Sequence, residues 1–435
     1  MQRKALNDII KWNQRQSFKP LVLNGARQVG KTWLMKEFAN RYYPDNYVYI
    51  NFEDEEDLKT LFQQDFDISR IETTIKIVKA VEINKDTLFL FDEIQEAKRG
   101  TMALKYFYEK EPGRRIIAAG SMLGLSLHRD DSFPVGKVSL LNVYPLDFEE
   151  FLWATNNKIL DDQIVEQQWS VLGSLKNKTT ELLKLYYFIG GMPRVVLEFI
   201  NTNDLNEVRR EQAELLASFQ LDFSKHEPTE EVPRIRMVWA SIPSQLAKEN
   251  RKFIYGALKK GGRAKEFEIA IEWLRDAGLI YKVNRVSTGE MPLSTFVDLD
   301  AFKMYMLDTG LLGAMANLSP KAAVLGNDLF MTYRGALTEQ YVYQQMRPLL
   351  GDSIYYWSAD NSRGEVDFVI EADNSIIPIE VKAEENLRSK SLRAFCDKCH
   401  LTSALRFSLA DYRRQDYLTN VPLCAVGQYL SSLLF

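Results

Sequence analysis

The sequence predicts a multidomain α/β fold, and three observations predict it. In the first third of the chain, short apolar runs alternate with helix-forming stretches. One of those runs opens directly into a glycine loop followed by a helix. Near the C-terminus two further apolar runs meet at a turn and carry acids on both sides of it. Strands that alternate with helices imply a mostly parallel sheet covered on both faces. A length of 435 residues leaves room for roughly three domains.

The glycine loop is the most informative element. Pro20-Leu21-Val22-Leu23-Asn24 reads as a buried strand and runs into Gly25-Ala26-Arg27-Gln28-Val29-Gly30-Lys31-Thr32, which fits G-x-x-x-x-G-K-[ST] in full. A helix is expected from Trp33 to Asn40. In this strand–loop–helix setting, backbone N–H groups line a phosphate cradle at a helix N-terminus. Gly25, Ala26, Arg27, Gln28, Val29, Gly30, Lys31 and Thr32 are therefore the expected nucleotide-binding residues. Lys31 would meet the β- and γ-phosphates, and the Thr32 hydroxyl would hold Mg2+.

A second landmark follows. Thr87-Leu88-Phe89-Leu90-Phe91 is a strand that ends in Asp92-Glu93-Ile94-Gln95. An acid at the end of a buried strand can bind Mg2+, so Asp92 is the expected metal-side acid. Its neighbour Glu93 is the expected general base for the attacking water. Tyr47 to Phe52, Arg115 to Ser121 and Lys137 to Val143 read as further strands. Ser121 ends one of them and is a candidate γ-phosphate sensor, with a turn or capping serine as the alternative. No Asn-Lys-x-Asp guanine signature occurs, which favours ATP over GTP as the cofactor.

These segments, together with Ala119-Gly120-Ser121, Tyr144-Pro145-Leu146-Asp147-Phe148 and Gly190-Gly191-Met192-Pro193, resemble the prokaryotic AAA+-like ATPases of the AAA_14 type that carry a C-terminal DUF4143 domain. The resemblance spans nearly the whole chain and implies ATP hydrolysis with Mg2+. The family often has Gly-Arg before its last core strand, whereas Gly136-Lys137 stands here. No arginine finger is assigned at that point, and Arg129 is only a weak substitute.

From Phe148 to about Arg210 the pattern is helical, as a lid after such a core would be. Gly190-Gly191-Met192-Pro193 interrupts it, read as a tight turn that needs glycine. Arg234 to Tyr281 reads as three short helices, followed by a strand pair near Ile280–Val283 and Phe296–Asp298. That order suggests a winged helix with Ala264 to Ala277 as its last helix. Arg251, Lys252, Lys259, Lys260, Arg263 and Lys265 precede or open this helix without an intervening acid and could engage phosphates. The helix itself carries Glu266, Glu268, Glu272 and Asp276, which suits a DNA groove poorly, and a plain solvated face is the competing reading.

In the last quarter, Glu339 lies on a helix expected over Leu337 to Met346. Gly364-Glu365-Val366-Asp367-Phe368-Val369-Ile370 and Ile376-Ile377-Pro378-Ile379-Glu380-Val381-Lys382 read as strands joined by a turn at Asp373-Asn374. Glu380 and Lys382 share a strand face because side chains alternate with period two. The set resembles the PD-(D/E)xK nuclease fold, which implies metal-binding acids at Glu339, Asp367 and Glu380 and a catalytic lysine at Lys382. A nuclease-like domain kept for binding or structure is the alternative. Cys396-Asp397-Lys398-Cys399-His400 spells C-x-x-C-H, which is read as coincidence because too few other Cys or His residues exist to complete a site.

The expected organisation is a P-loop NTPase core over 1–146, a helical lid over 147–230, a winged-helix-like middle over 231–324 and a restriction-endonuclease-like α/β domain over 325–435. Net charge is −4, so no global basic field draws nucleic acid. Three cysteines form no disulfide framework, no apolar run is long enough to span a membrane, and no secretion signal opens the chain, so a cytoplasmic location is expected. ATP is the expected small-molecule partner, with DNA and a second copy of the chain as macromolecular partners to be considered. The function expected is an ATPase coupled to nucleic-acid handling, and its rival is an ATP-dependent regulatory switch.

Overall fold

The computed structural model describes residues 1–121, 134, 136–226, 230–248, 251–320, 328–359, 364–384 and 390–434. Arg129 lies outside these. The chain divides into two compact units, Gln2–Tyr144 with Asp276–Gly278, and Pro145–Arg275 with Leu279–Phe435 and Met1. Among the described residues, no helix is long and apolar enough to cross a membrane.

The first unit holds a five-stranded sheet of β1 (Leu21–Asn24), β2 (Tyr47–Asn51), β3 (Leu88–Asp92), β4 (Ile116–Ala119) and β5 (Ser139–Asn142). The strands are parallel and ordered β2-β3-β4-β1-β5. Every residue of β3 and β4 is buried, which is why both read as continuous apolar runs instead of alternating ones. One face of the sheet packs Ile50, Phe52, Phe89, Phe91 and Ile116 against Phe62, Ile71 and Phe107. The strand order places β4 between the loop-bearing β1 and the acid-bearing β3. The C-terminal ends of all three therefore converge on the crevice where parallel sheets bind ligands.

The second unit is built on an eight-stranded mixed sheet. Its strands are β6 (Ile280–Val286), β7 (Val297–Met306), β8 (Tyr355–Ser358), β9 (Glu365–Ala372), β10 (Ser375–Val381), β11 (Ala404–Ser408), β12 (Arg413–Gln415) and β13 (Leu418–Pro422), in the order β12-β13-β11-β10-β9-β8-β6-β7. The expected turn at Asp373-Asn374 joins β9 and β10, both residues having positive φ, 46° and 55°.

Two features of the structure bear on the expected four-part division. The strand pair read as the wing is the β6–β7 edge of this sheet, and β6 pairs in parallel with β8. The physical reason lies in β7, whose last six residues, Ala301 to Met306, are all buried, whereas a wing leaves one side to water. The expected lid also shares its interior with the C-terminal region. The Phe148 N–H donates to Gln345 Oε1 at 2.8 Å, and Tyr186 packs edge-on against Tyr341.

The Gly190-Gly191 turn is fixed by contact as well as by backbone. Gly190 has φ +77°, and a Cβ there would lie 2.1 Å from Asp308 Oδ1. The Gly191 N–H donates to Asp308 Oδ2 at 2.6 Å, and a Cβ on Gly191 would meet the Leu146 carbonyl at 2.0 Å. Asp308 also caps the helix Thr309–Met315 by accepting from the Leu311 N–H. Burial pushes its carboxyl upward.

Candidate functional site

The helix Lys31–Tyr42 begins directly at the glycine loop, and the loop's shape depends on backbone that side-chain-bearing residues adopt poorly. Gly25 has φ +153°, and a Cβ there would sit 2.3 Å from the Val143 carbonyl oxygen of the neighbouring chain segment. Gln28 and Gly30 have φ of 67° and 97°. These turns wrap the loop around the N-terminus of the helix, where unpaired N–H groups and the helix dipole favour an anion.

Lys31 is buried and donates to the Gly25 and Ala26 carbonyls, each at 2.8 Å. Burial lowers its pKa to about 8, against the opposing pull of Glu93 and Asp92. The ammonium thus rests on loop carbonyls that a phosphate could replace. Arg27 lies 3.7 Å from Glu53.

On the adjacent strand, Asp92 and Glu93 have different surroundings. Asp92 Oδ2 accepts from Thr32 Oγ1 at 2.7 Å and from the Tyr49 hydroxyl at 2.9 Å. Burial pushes the Asp92 carboxyl up, partly offset by these two donors. Glu93 sits in the left-handed region, φ 47° and ψ 48°, an uncommon conformation for glutamate that aims its side chain toward β4. Its Oε2 accepts from Ser121 N at 3.0 Å, Ser121 Oγ at 2.7 Å and Gln95 Nε2 at 2.6 Å. Burial raises the Glu93 pKa, but the Ser121 and Gln95 donors and the charge of Lys31 outweigh it, so the carboxyl stays below its ordinary value and ionised. Ser121, Glu93, Asp92, Thr32 and Lys31 are thereby brought together as one site. Tyr49 and Gln95 belong to it as well. Gln95 stands two residues after Glu93 in the sequence, whereas Tyr49 is brought in only by the pairing of β2 with β3.

The C-terminal acids form a different kind of cluster. Glu339 is 1% exposed and is engaged by Arg251, by the Tyr305 hydroxyl and by Lys303, the last at 3.1 Å. Lys303 is fully buried and also pairs with Glu365 at 2.5 Å. Asp367 Oδ2 accepts from the Val381 N–H at 2.7 Å, and its other oxygen lies 3.8 Å from Arg251. Glu380 pairs with Lys382 at 2.5 Å, as the shared strand face requires. The lysine's pKa is raised because Glu380 outweighs the cost of burial.

Among the described residues, no three His, Cys, Asp or Glu side chains converge as a metal-ligating group. The expected set of Glu339, Asp367 and Glu380 is gathered here around the chain's own cations. Arg251 meets Glu339 and Asp367, Lys303 meets Glu339 and Glu365, and Lys382 meets Glu380, so each carboxylate has a cation beside it. In the sequence Arg251 belongs to a basic run and Lys303 sits in an apolar strand, so neither announces this role. Cys396, Cys399 and Cys424 are free thiols.

Comparison with known proteins agrees with the N-terminal geometry. Residues 17–152 match the family model of an AAA domain, AAA_14. Residues 180–322 match a domain of unknown function, DUF8612, and residues 334–426 match another, DUF4143. The DUF8612 span runs across the boundary expected at 230. The uncharacterized protein MJ1544 of Methanocaldococcus jannaschii is 25% identical over 385 residues, covering 86% of this chain and 77% of its own. Among solved structures, the Walker-type ATPase PABY2304 of Pyrococcus abyssi is similar at 14% identity and a TM-score of 0.44, over 72% of this chain and 95% of that one. The Orc1 protein of Aeropyrum pernix in complex with DNA gives 11% identity and a TM-score of 0.30, over 72% and 91%. The family matches find an AAA domain of the AAA_14 type over residues 17–152 and DUF4143 over 334–426. This match and the loop geometry support ATP binding.

Proposed function

We propose that the chain is a Mg2+-dependent ATPase whose turnover is coupled to the handling of nucleic acid. One observation carries the reading: Lys31, the Thr32–Asp92 pair and the Ser121-held Glu93 line one crevice at the ends of three adjacent strands. A hydroxyl 2.7 Å from a carboxylate is a donor set that suits a hard, oxygen-seeking cation. Thr32 and Asp92 would hold Mg2+, which when bound neutralises phosphate charge. Lys31 turns from the loop carbonyls to the β- and γ-phosphates. Glu93, kept ionised by its donors, accepts a proton from the attacking water.

The nucleic-acid part of the reading rests on the exposed Lys252, Lys259, Lys260, Arg263 and Lys265. Arg251 is drawn inward to Glu339 and Lys259 pairs with Glu266 at 3.2 Å, so fewer phosphate contacts are available than the six cations suggested. The salt dependence of binding is correspondingly shallower, at about 0.9 log units per phosphate neutralised.

Titration of a fluorescent ATP analogue against the parent and Lys31→Ala tests the nucleotide site. Loss of tight binding in a folded variant is expected, and equal affinities would overturn the assignment. The ATPase rate in Mg2+ with and without single- or double-stranded DNA tests the coupling. A second reading, an ATP-dependent regulatory switch with a non-catalytic nuclease-like domain, is favoured by the cations that fill the C-terminal acid cluster. A rate indifferent to DNA selects it.

A further inference from the structure

Arg3 lies far from the glycine loop in sequence, and no motif touches it, yet it is 5% exposed. A buried guanidinium is costly unless its donors are used, so its partners carry information. Nη1 donates to the Val29 carbonyl at 2.9 Å, and Nη2 donates to the Tyr144 carbonyl at 2.6 Å. Val29 is the residue before Gly30 in the loop. Tyr144 stands two residues beyond β5, the strand that also closes the loop's other end, where Val143 lies against Gly25 and its N–H donates to the Asn24 carbonyl at 2.7 Å.

The Val29–Gly30 peptide follows Gln28, a side-chain-bearing residue at φ 67°, and ends at Gly30, which takes φ 97° without steric cost, so its orientation is fixed by the loop and by whatever binds it. A trans peptide is planar, with its carbonyl and its N–H pointing in opposite directions. A cation that holds the Val29 oxygen on the outside of the loop therefore turns the Gly30 N–H to the inside, toward the anion cradle. We propose that Arg3 is a positioning residue of the phosphate loop. It sets the Val29–Gly30 peptide for phosphate and ties it to the backbone leaving β5. This rests on the nucleotide-binding reading above. The forked guanidinium spans two carbonyls at once, which a single ammonium on a flexible stem does less well.

The test uses the full chain and a fluorescent ATP analogue, with ADP in parallel, on the parent, Arg3→Met and Arg3→Lys. Arg3→Met is expected to weaken both nucleotides about tenfold, as for the loss of a charge-assisted hydrogen bond. KM for ATP should rise by a similar factor while kcat moves less than about twofold, because Glu93 and Asp92 are untouched. Arg3→Lys is expected to recover part of the affinity. A merely structural role would lower the fraction of folded protein and leave the affinity of that fraction unchanged, which would overturn the proposal. Should Arg3→Met not fold, Arg3→Lys carries the test, and parental affinity in it overturns the proposal. A parent that binds no ATP overturns the nucleotide reading and this inference with it. A parent that binds alongside an unaffected Arg3→Met overturns only the role of Arg3.

Discussion

The two carboxylate sites of this chain are compensated in opposite ways. Asp92 and Glu93 are held by neutral donors, namely Thr32, Tyr49, Ser121 and Gln95. The nearby cation, Lys31, hydrogen-bonds to loop carbonyls instead of either acid. Glu339, Glu365, Asp367 and Glu380 are met by Arg251, Lys303 and Lys382. Neutral donors orient a carboxylate while leaving its charge to attract a metal or a proton. Direct ion pairs in a buried setting satisfy that charge and fix the side chains in place. The same residue types are thus held by neutral donors in one unit and by direct ion pairs in the other.

The contrast breaks most visibly if the acids are exchanged for their amides. Glu93→Gln is expected to keep ATP bound and to lower turnover by roughly 10^2 to 10^4, the range of a lost general base. Single-turnover and steady-state phosphate release measure it, and a parental rate would place the base elsewhere. Arg251→Ala acts on the other side of the comparison. Among the described residues it leaves the buried Glu339 paired with Lys303 alone, and it is expected to cost about 3 kcal/mol, at the low end for a broken buried pair. The denaturant midpoint reads this loss. Excess Mn2+ should restore part of it in the variant and not in the parent, and adding Asp367→Asn should remove the rescue. Unchanged stability would mean that the pair contributes nothing.

How much of this was legible in the sequence follows from the range over which each signal acts. The glycine loop, the Leu88–Asp92 strand and the Asp373-Asn374 turn are local, and each lies where its chemistry indicated. The roles of Arg3, Tyr49, Arg251 and Lys303 are not local. Each comes from the pairing of distant segments, and period or composition carries no record of such pairing. The placement of the expected wing strands at the edge of a larger sheet is hidden for the same reason, because a β-hairpin in isolation and one at such an edge share one pattern. The near-continuous apolar run Ala301-Phe302-Lys303-Met304-Tyr305-Met306 was the available clue, and the charge of Lys303 obscured it.

A smaller effect concerns the pH dependence of the phosphate loop. Burial holds Lys31 near pKa 8 in the free protein, and phosphate binding requires its charged form. ATP affinity should therefore fall as pH rises through about 8 and be about tenfold weaker at pH 9 than at pH 7. The stability contribution runs the other way. Between about 8 and the ordinary lysine value of 10.5 the unfolded chain binds more protons at Lys31 than the folded one, so this residue's contribution to stability rises with pH across that window. Titrations of a fluorescent ATP analogue at both pH values read the first trend, and a flat affinity would show that the lysine does not titrate there.

The smallest effect concerns what Ser121 does. Its hydroxyl and its N–H both donate to Glu93 Oε2, at 2.7 and 3.0 Å, and Gln95 adds a third donor at 2.6 Å. Ser121→Ala removes one of the three and keeps the backbone donor. One hydrogen bond is worth about 1 kcal/mol net, so kcat at neutral pH should fall no more than about fivefold, with KM unchanged. The sign of the accompanying shift is fixed. The Ser121 hydroxyl lowers the Glu93 pKa, so its loss raises that pKa and moves the acid limb of the kcat profile to higher pH. A serine that instead senses the γ-phosphate would behave differently. Its loss would weaken ATP while sparing ADP, and the acid limb would stay where it is. ATP and ADP affinities together with the pH profile of one variant therefore decide whether Ser121 serves the base or the nucleotide.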